Sequence, residues 1–256
     1  MKNSDYGPWG VVAGGSDGVG AAFARAMAAR GINLVLVARR VPVLKETAEA
    51  IRAEHGVEVR SLALDLSEPD ALAELARATA DVEVGLFVHN AGSDDSAAAF
   101  LDRERADHLR LVRRNCVGVL EAAHHFGALM VARGHGGMVF VTSGAAWAGG
   151  ATRATYGATK AFGLVLAESL WAEWRGAGVD VLALVLGRTD TPSLRRLLPD
   201  QSAAPAGLAD PAEVAEEALT HLGDGPTWIH GSPDPAGGSP LGALSRRDAV
   251  IAMSPR

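Results

Sequence analysis

The 256-residue sequence has one cysteine, no long apolar run and no excess of positive charge. Because Cys116 has no second cysteine to pair with and the first residues lack the regions of a secretory signal, we expect a reducing cytoplasm. No stretch approaches about 18 consecutive apolar residues, so no membrane span is expected. The net charge of −6 gives no general attraction to a phosphate backbone, so nucleic acid is not an expected partner.

Clusters of metal-ligating side chains are also missing from the sequence. Eight histidines are present, but there is no HExxH motif and no Cys/His cluster. The adjacent residues His124 and His125 would point about 100° apart on a helix, and so not at one ion. The sequence therefore predicts no metal site.

The composition, with 48% apolar and 21% charged residues, is that of a globular protein. Short apolar segments alternate with helical ones. The strands are predicted at 9–13, 33–38, 57–64, 84–89, 138–142 and 179–186, and the helices at 18–30, 41–55, 69–80, 103–132 and 155–175. This alternation is typical of a parallel sheet covered by helices on both faces. We predict an α/β Rossmann fold, with a doubly wound parallel sheet in three α/β/α layers.

The composition changes after the sixth predicted strand. Segments 199–211 and 231–240 are rich in Pro, Gly, Ser and Asp, which is typical of loops. A short helix and the strand-like PTWIH lie between them. We interpret 188–210 as a substrate lid and 231–256 as a C-terminal tail, within a single domain that spans 1–256.

A glycine-rich turn, AGGSDGVG at 13–20, follows the first predicted strand and begins the first helix. Glycines there let the backbone approach a pyrophosphate, whose charge then lies over the helix N-terminus. A glycine-rich turn with no ligand is the alternative. The expected cofactor contacts at this turn are Gly14, Ser16, Asp17, Gly18, Val19 and Gly20.

The end of the second predicted strand indicates which dinucleotide is bound. A carboxylate usually accepts the ribose 2′-hydroxyl there, but this sequence has Ala38 followed by Arg39 and Arg40. A guanidinium suits a 2′-phosphate by charge and bidentate geometry. The pattern favours NADP(H) over NAD(H), with Arg39 as the main contact and Arg40 as a lesser one. Solvated surface arginines are the alternative.

Several later residues occur with the glycine turn in a recognisable order. They are HNAG at 89–92, Asn115, Ser143, Tyr156 with Lys160, and LGRTDT at 186–191. On these residues the chain resembles the classical short-chain dehydrogenases/reductases over about residues 8–192. The resemblance implies an NAD(P)-dependent oxidoreductase, of the ketoreductase or alcohol dehydrogenase type, that interconverts a ketone and a secondary alcohol.

Four polar residues have the catalytic roles that the resemblance implies. Tyr156 and Lys160 lie one helical turn apart, so the ammonium can lower the pKa of the phenol. The resemblance assigns the transferred proton to Tyr156 and a hydrogen bond with the substrate oxygen to Ser143. It gives Lys160 a contact with the nicotinamide ribose, and Asn115 a water that links Lys160 to solvent. Taken singly, these residues also have ordinary structural alternatives.

The resemblance implies further cofactor contacts. Asp65 would lie against the adenine, with a helix N-cap as the alternative. The sequence departs from the family pattern at Ala13, His89 and Leu186, where Thr, Asn and Pro are usual, and these departures affect local turns rather than catalytic groups. The expected contacts are Asp65, Leu66, Asn90, Ala91, Gly92, Gly187, Thr189 and Thr191, beside Tyr156 and Lys160.

An apolar surface is predicted around the substrate. Trp147 lies on a strand-end loop that would border the pocket, and Leu194 lies in the lid with Leu197 and Leu198. We expect a hydrophobic carbonyl or alcohol substrate, steroid-, polyketide- or 3-oxoacyl-like. The lid arginines are either clamps for an anionic group or solvated surface. The expected substrate contacts are Ser143, Ala145, Trp147, Tyr156 and Leu194, and the lid arginines are Arg188, Arg195 and Arg196.

Leu166, Leu170, Trp171 and Trp174 form an apolar stripe on the helix that contains Tyr156. The resemblance implies a helix-bundle interface in a homodimer or homotetramer, and core packing is the alternative. A non-catalytic nucleotide-binding sensor or partner-binding protein on the same fold is the alternative function. The intact catalytic residues favour the enzyme.

Overall fold

The computed structural model describes residues 6–94, 96–198 and 205–254. Within these ranges seven parallel strands form one sheet in the order β3-β2-β1-β4-β5-β6-β7. The strands are β1 (Trp9–Ala13), β2 (Asn33–Ala38), β3 (Val59–Ala63), β4 (Val84–His89), β5 (Gly136–Ser143), β6 (Val179–Leu186) and β7 (Thr227–Ile229). The predicted doubly wound parallel sheet is confirmed.

Helices cover both faces of this sheet. In the described ranges they are α1 (Gly18–Ala28), α2 (Val41–His55), α3 (Ala71–Ala78), α4 (Arg105–Val112), α5 (Gly118–Arg133), α6 (Ala154–Trp174), α7 (Pro192–Arg196), α8 (Pro211–Thr220) and α9 (Arg246–Ala252). None of the helices described is long and apolar enough to cross a membrane. Two of them, α2 and α5, end at glycines in the left-handed conformation, Gly56 (φ 69°) and Gly134 (φ 79°), which favours glycine over residues with a side chain.

The core has one half on each face of the sheet. Phe23 and Met27 of α1 pack with residues of α2 and α8 on one face, and Phe126 of α5 packs with residues of α3 and α6 on the other. Neighbouring strand residues serve opposite faces, as Val12 and Val11 show. Because both faces are buried, the strands are apolar at almost every position, which explains why their predicted bounds are close to the observed ones.

The carboxyl ends of the strands meet at one edge of the sheet. Ala13 of β1 lies beside His89 of β4, which lies beside Phe140 of β5, and Ser143 of β5 lies beside Leu186 of β6. The chain runs from β1 outward to β3 and then returns to the other side of β1 with β4. Ligands of open α/β sheets bind at such a reversal, outside the carboxyl ends of the strands.

The segment predicted as one regular helix over 103–132 is interrupted. One turn of π-helix, Arg113–Val117, separates α4 from α5. A π turn takes an extra residue, so it changes the direction of the side chains within it. Asn115 lies in this turn and is buried.

The C-terminal residues fold back onto the loop after β5. Arg246 Nη1 donates a hydrogen bond to the Trp147 carbonyl at 2.8 Å, and the Ala151 amide donates to Ser254 Oγ at 3.1 Å. Helix α9, in the predicted tail 231–256, was not predicted from the sequence. Residues 255–256 lie outside the described ranges.

The predicted lid, 188–210, is joined at its base. The Asp190 amide donates to the Ala209 carbonyl and the Ala209 amide donates to the Arg188 carbonyl, both at 3.0 Å. Helix α7 follows the base, and Thr191 Oγ1 accepts a hydrogen bond from the Leu194 amide at 3.1 Å. The central residues 199–204 lie outside the described ranges.

The apolar stripe on α6 packs against the core of its own chain. Leu166, Leu170, Trp171 and Trp174 are partly buried against the half of the core that lies under α5 and α6. A Cβ added at Gly127 of α5 would lie 2.3 Å from Trp174 Cη2. The structure thus supports core packing of this stripe, and the exposed apolar residues of α6 are others, Phe162 and Val165.

We expect Gly127→Ala to destabilise the fold by about 1–3 kcal/mol, because the added methyl overlaps the Trp174 ring. The overlap outweighs the gain of up to about 1 kcal/mol from helix propensity. Gly176→Ala is the control, since a Cβ there meets nothing within 4 Å. Urea unfolding followed by tryptophan fluorescence measures both, and equal midpoints for Gly127→Ala and the unsubstituted protein would contradict the packing described.

Candidate active site

Ser143, Tyr156 and Lys160 come together where β5 ends and α6 begins. Ser143 is the last residue of β5, and Tyr156 lies in the first turn of α6. The Ser143 side chain lies near enough to the Tyr156 hydroxyl to lower the pKa of the phenol. Ser143 Oγ also accepts the Ala145 amide at 3.2 Å, so it caps the strand end as well.

Asn115 connects three elements around this site. Its Nδ2 donates to the Gly92 carbonyl at 3.1 Å and to Thr159 Oγ1 at 3.0 Å. Thr159 Oγ1 in turn donates to the Tyr156 carbonyl at 2.9 Å. A Cβ at Gly92 (φ 142°) would lie 2.8 Å from Asn115 Oδ1 and 3.2 Å from Lys160 Nζ, so this approach requires glycine.

The Lys160 ammonium is buried beneath the site. Its Nζ donates to the Val141 carbonyl at 2.9 Å, and the residue is 7% exposed. Burial, with a smaller contribution from the charge of Arg114, lowers the pKa of Lys160 to about 8. An ammonium taken out of water is less stable than in solution, which is why the pKa falls.

The pKa of Tyr156 lies above its usual value. Burial raises it, while the nearby Ser143 side chain and the charge of Arg153 lower it, and the charge of Asp94 raises it again. That Lys160 lowers this pKa stays a prediction: its Nζ lies 5.7 Å from the ring centroid of Tyr156 and donates to the Val141 carbonyl. The Arg153 guanidinium lies 5.6 Å from the same centroid, and its charge lowers the pKa of the phenol.

Sequence reasoning missed two charged groups near Tyr156. Arg153 precedes it by three residues, and this spacing was a usable signal because residues three apart share a helix face. Asp94 forms a 2.8 Å ion pair with Arg103, and its side chain is 3% exposed. No sequence pattern indicates this pair, because its position depends on the path of the loop between β4 and α4.

The predicted glycine turn forms a cradle against the loop after β4. A Cβ at Gly14 (φ 83°) would lie 2.7 Å from the Ala91 amide nitrogen, and one at Gly20 would lie 1.9 Å from the Gly14 carbonyl oxygen. Asn90 Nδ2 donates to that carbonyl at 2.9 Å. Side chains at Gly14 and Gly20 would therefore collide with the backbone of the turn and of the loop after β4, so both positions require glycine.

The N-terminus of α1 faces this cradle with its backbone amides available. Asp17 precedes the helix but makes no side-chain cap, and the first turn has no acidic residue. Uncapped amides and the positive end of the helix dipole favour an anion. Thr191, at the start of the lid, lies 3.1 Å from the Cβ position of Gly18. This arrangement fits the pyrophosphate of a nicotinamide dinucleotide.

The residues predicted to hold the adenosine end form two ion pairs. Arg40 pairs with Asp17, and Arg39 Nη1 lies 3.7 Å from Asp65 Oδ2 with the arginine side chain 60% exposed. Asp65 Oδ1 accepts the Ser67 amide at 2.9 Å and the Ser67 hydroxyl at 2.7 Å. Partial burial acts to raise the pKa of Asp65, but these hydrogen bonds and the charges of Arg39 and Arg114 hold it below its usual value.

Asp65 is not a helix N-cap, which was the alternative reading of this residue. Helix α3 begins at Ala71, and the residue before it, Asp70, makes no side-chain cap. Asp65 instead closes a turn through Ser67. The other predicted cofactor contacts follow strand ends at the same edge or lie in the glycine turn, and they are Ser16, Val19, Leu66, Gly187 and Thr189.

The predicted substrate contacts lie on two segments. Ala145 and Trp147 follow β5, where the Trp147 side chain is partly buried against the core. Leu194 lies in α7. The Arg195 guanidinium makes two 2.7 Å hydrogen bonds with Asp190, and its role as a clamp for an anionic group stays a prediction.

Comparison with known proteins agrees with this geometry. The family model for short chain dehydrogenases matches residues 9–202. A 7beta-hydroxysteroid dehydrogenase of Collinsella aerofaciens is 35% identical over 221 residues, which are 85% of this chain and 84% of that protein. A solved structure from work on 7beta-hydroxysteroid dehydrogenase stereoselectivity has a TM-score of 0.89 at 31% identity and covers 99% of both chains.

A second solved structure is a short-chain dehydrogenase from Sphingobium yanoikuyae in complex with NADPH. It has a TM-score of 0.78 at 30% identity and covers 96% of this chain and 92% of that one. The family match spans the glycine cradle, the strand ends and the Ser143–Tyr156 contact, so the resemblance seen in the sequence is confirmed. The chain belongs to the short-chain dehydrogenase/reductase family and is an NAD(P)-dependent oxidoreductase.

Proposed function

We propose that this enzyme interconverts hydrophobic ketones and secondary alcohols with NADP(H). The observation that carries the proposal is the placement of Ser143 beside Tyr156, at the same sheet edge as the glycine cradle. An acid or base and a hydrogen-bonding hydroxyl placed beside a dinucleotide site are what carbonyl reduction requires.

The bound nicotinamide cofactor supplies the hydride in reduction and accepts it in oxidation. Tyr156 gives its hydroxyl proton to the substrate oxygen as the carbonyl is reduced, and takes that proton back in the reverse direction. Ser143 holds the substrate oxygen by a hydrogen bond. Lys160 and Asn115 lie on the buried side of Tyr156, where the Lys160 ammonium supplies the proton that the phenol has given up and Asn115 holds a water that links Lys160 to solvent.

The electrostatics favour Tyr156 as a proton donor. Burial keeps the pKa of the phenol above its usual value, so the hydroxyl is protonated at neutral pH. A protonated phenol is the form needed for reduction of a ketone. The Arg153 charge opposes this shift and stabilises the tyrosinate that remains after transfer.

The adenosine end supports NADP(H) rather than NAD(H). The residue at the end of β2, Ala38, has no carboxylate for the ribose hydroxyls. Arg39 and Arg40 follow it, and each is paired with a carboxylate through a partly exposed contact. Such pairs are weak in water, so a 2′-phosphate can replace the carboxylate as the partner of the guanidinium.

For the substrate we propose a steroid-like carbonyl compound. The two relatives described as 7beta-hydroxysteroid dehydrogenases match most of the chain, and Trp147 supplies an apolar surface after Ser143. In this proposal 188–210 is the substrate lid of a single domain, with Leu194 on its substrate side. The fold by itself does not establish catalysis, so a cofactor-binding sensor without turnover is the alternative function.

We also propose a homodimer or homotetramer in the cytoplasm. Exposed apolar residues lie on the neighbouring helices α4 and α6: Leu109, Val112, Phe162 and Val165. Exposed apolar residues on neighbouring helices are typical of a subunit interface. The location rests on Cys116 being the only cysteine.

Titration of the purified protein with NADPH and NADH, followed by a panel of steroid and other hydrophobic ketones, tests the proposed function. Cofactor binding with oxidation of NADPH by a ketone supports the oxidoreductase proposal. Binding without turnover across the panel would favour the sensor, and failure to bind either cofactor would contradict the assignment of the glycine cradle.

Tyr156→Phe should lower kcat by about 10²–10⁴-fold, because it removes the proton donor. Affinity for NADPH should stay nearly unchanged. The control is Tyr6→Phe at the other tyrosine of the chain, whose hydroxyl is hydrogen-bonded to Asp180 at a distance from the site. Steady-state rates and fluorescence titration measure both quantities. If Tyr156→Phe retains turnover, another residue is the proton donor.

Arg39→Ala should weaken NADPH binding about tenfold or more and leave NADH binding within about twofold, because a charge-assisted bond to the 2′-phosphate is worth roughly 1.5–3 kcal/mol. Arg25→Ala, an exposed arginine in the last turn of α1, controls for the loss of one positive charge. Equal losses for the two cofactors would contradict the role of Arg39.

Lys160→Met should abolish turnover and yet stabilise the fold at pH 7 by about 3 kcal/mol, the equivalent of a pKa of about 8 against 10.5. Between these values the unfolded state binds more protons, so the free energy of unfolding of the unsubstituted protein rises with pH. The advantage of the variant should therefore shrink as the pH rises from 8 to 10. Urea unfolding at several pH values measures it, and a pH-independent difference would contradict the buried charge.

A further inference from the structure

His89, the last residue of β4, is a buried titratable side chain that the proposed reaction does not use. It is 4% exposed, and both ring nitrogens are buried without a hydrogen-bond partner among the described residues. The Ala91 backbone lies near enough to raise the pKa of the ring, but makes no well-formed hydrogen bond with it. Buried polar atoms of proteins are nearly always paired with protein or water, so this ring needs partners.

Two small cavities border the ring. One is lined by His89 with Asn115, Thr159 and Lys160, and the other by His89 with Glu121 and apolar residues of α3 and α5. Each has a volume of about 10 Å³. That is roughly the space that one water molecule needs, and polar groups line both cavities.

The groups around the first cavity set the direction of its hydrogen bonds. Burial, and then the charges of Lys160 and Arg114, lower the pKa of His89 to about 3, so the ring is neutral at physiological pH. A neutral imidazole has one nitrogen that donates and one that accepts, whereas an ammonium only donates. A water in this cavity can accept from Lys160 and donate to the accepting nitrogen of His89.

The polar group at the second cavity determines which ring nitrogen of His89 is the acceptor. Glu121 is half-buried on α5, and a carboxylate accepts hydrogen bonds. A water there accepts the N–H of His89 and donates to Glu121. The partner of one imidazole nitrogen decides the state of the other, so Glu121 keeps the accepting nitrogen of the ring on the Lys160 side.

We propose that His89 is a positioning residue that holds one water against Lys160 and Asn115, with its own orientation set through a second water by Glu121. This inference rests on the proposed function, because the water solvates the ammonium that supplies the proton to Tyr156. No proton passes through the ring in this arrangement. The imidazole keeps one tautomer and holds the water against the Lys160 ammonium.

The first test is a high-resolution crystal structure of the full chain with NADPH. We expect one ordered water within hydrogen-bond distance of a His89 nitrogen and of Lys160 Nζ or Asn115, and a second between His89 and Glu121. Both cavities without ordered water would overturn the proposal whatever the activity of the enzyme. If the waters are ordered but the enzyme turns over no ketone, the proposed function is contradicted and the position of the water is not.

The second test compares His89→Leu, His89→Asn and the control His55→Leu. His55 also has a buried Nε2 without a hydrogen bond among the described residues, 3.7 Å from Glu54 Oε1, but it borders neither cavity. With His89→Leu we expect kcat to fall roughly tenfold, the effect of losing one hydrogen bond, and the pH profile of kcat to shift to lower pH because Lys160 loses a solvating water. NADPH affinity should change by less than about twofold.

His89→Asn retains a donor and an acceptor, so it should restore kcat to within about threefold of the unsubstituted enzyme. His55→Leu should leave kcat and its pH profile unchanged. If His89 only packs, His89→Leu will keep the original kcat and pH profile and raise Tm, and the proposal fails. If His89→Leu does not fold, His89→Met against His89→Gln makes the same comparison.

Discussion

The buried charge of Lys160 is the constraint on which the rest of the site depends. An ammonium out of water is tolerated only where its donors find acceptors, and here the Val141 carbonyl of β5 accepts one of them. Thr142 Oγ1 donates to the Lys160 carbonyl at 2.9 Å, which ties the same turn of α6 to the strand. Because α6 is held in this register, Tyr156 one turn earlier meets Ser143 at the strand end.

The topology of the sheet places these groups beside residues from distant parts of the chain. The strand order reverses between β1 and β4, so the glycine turn after β1 and the loop after β4 lie side by side. Gly14 and Ala91 are then close enough to exclude a side chain at the glycine. The cofactor cradle and the proton-transfer groups share one edge because all seven strands are parallel and expose their carboxyl ends there.

Two polar groups in unfavourable environments lie at this edge. Among the described residues His89 makes no hydrogen bond, and Lys160 has a lowered pKa, whereas a surface arginine such as Arg60 is paired, with Asp81 at 2.7 Å. A functional site commonly departs from the rules that the rest of a fold obeys. The stability lost at Lys160 is offset by the two apolar halves of the core, which contain most of the buried side chains described.

The sequence by itself determined the strands, the alternation with helices, the glycine turn and the spacing of Ser143, Tyr156 and Lys160, because these features are local and buried parallel strands are uniformly apolar. Only the tertiary structure decided that the charge of Asp94 acts on the phenol, that Trp174 packs inward and that a π turn directs Asn115 into the site. The physical reason is that the direction of a side chain and its charged neighbours depend on packing between segments far apart in the chain, which no local pattern records.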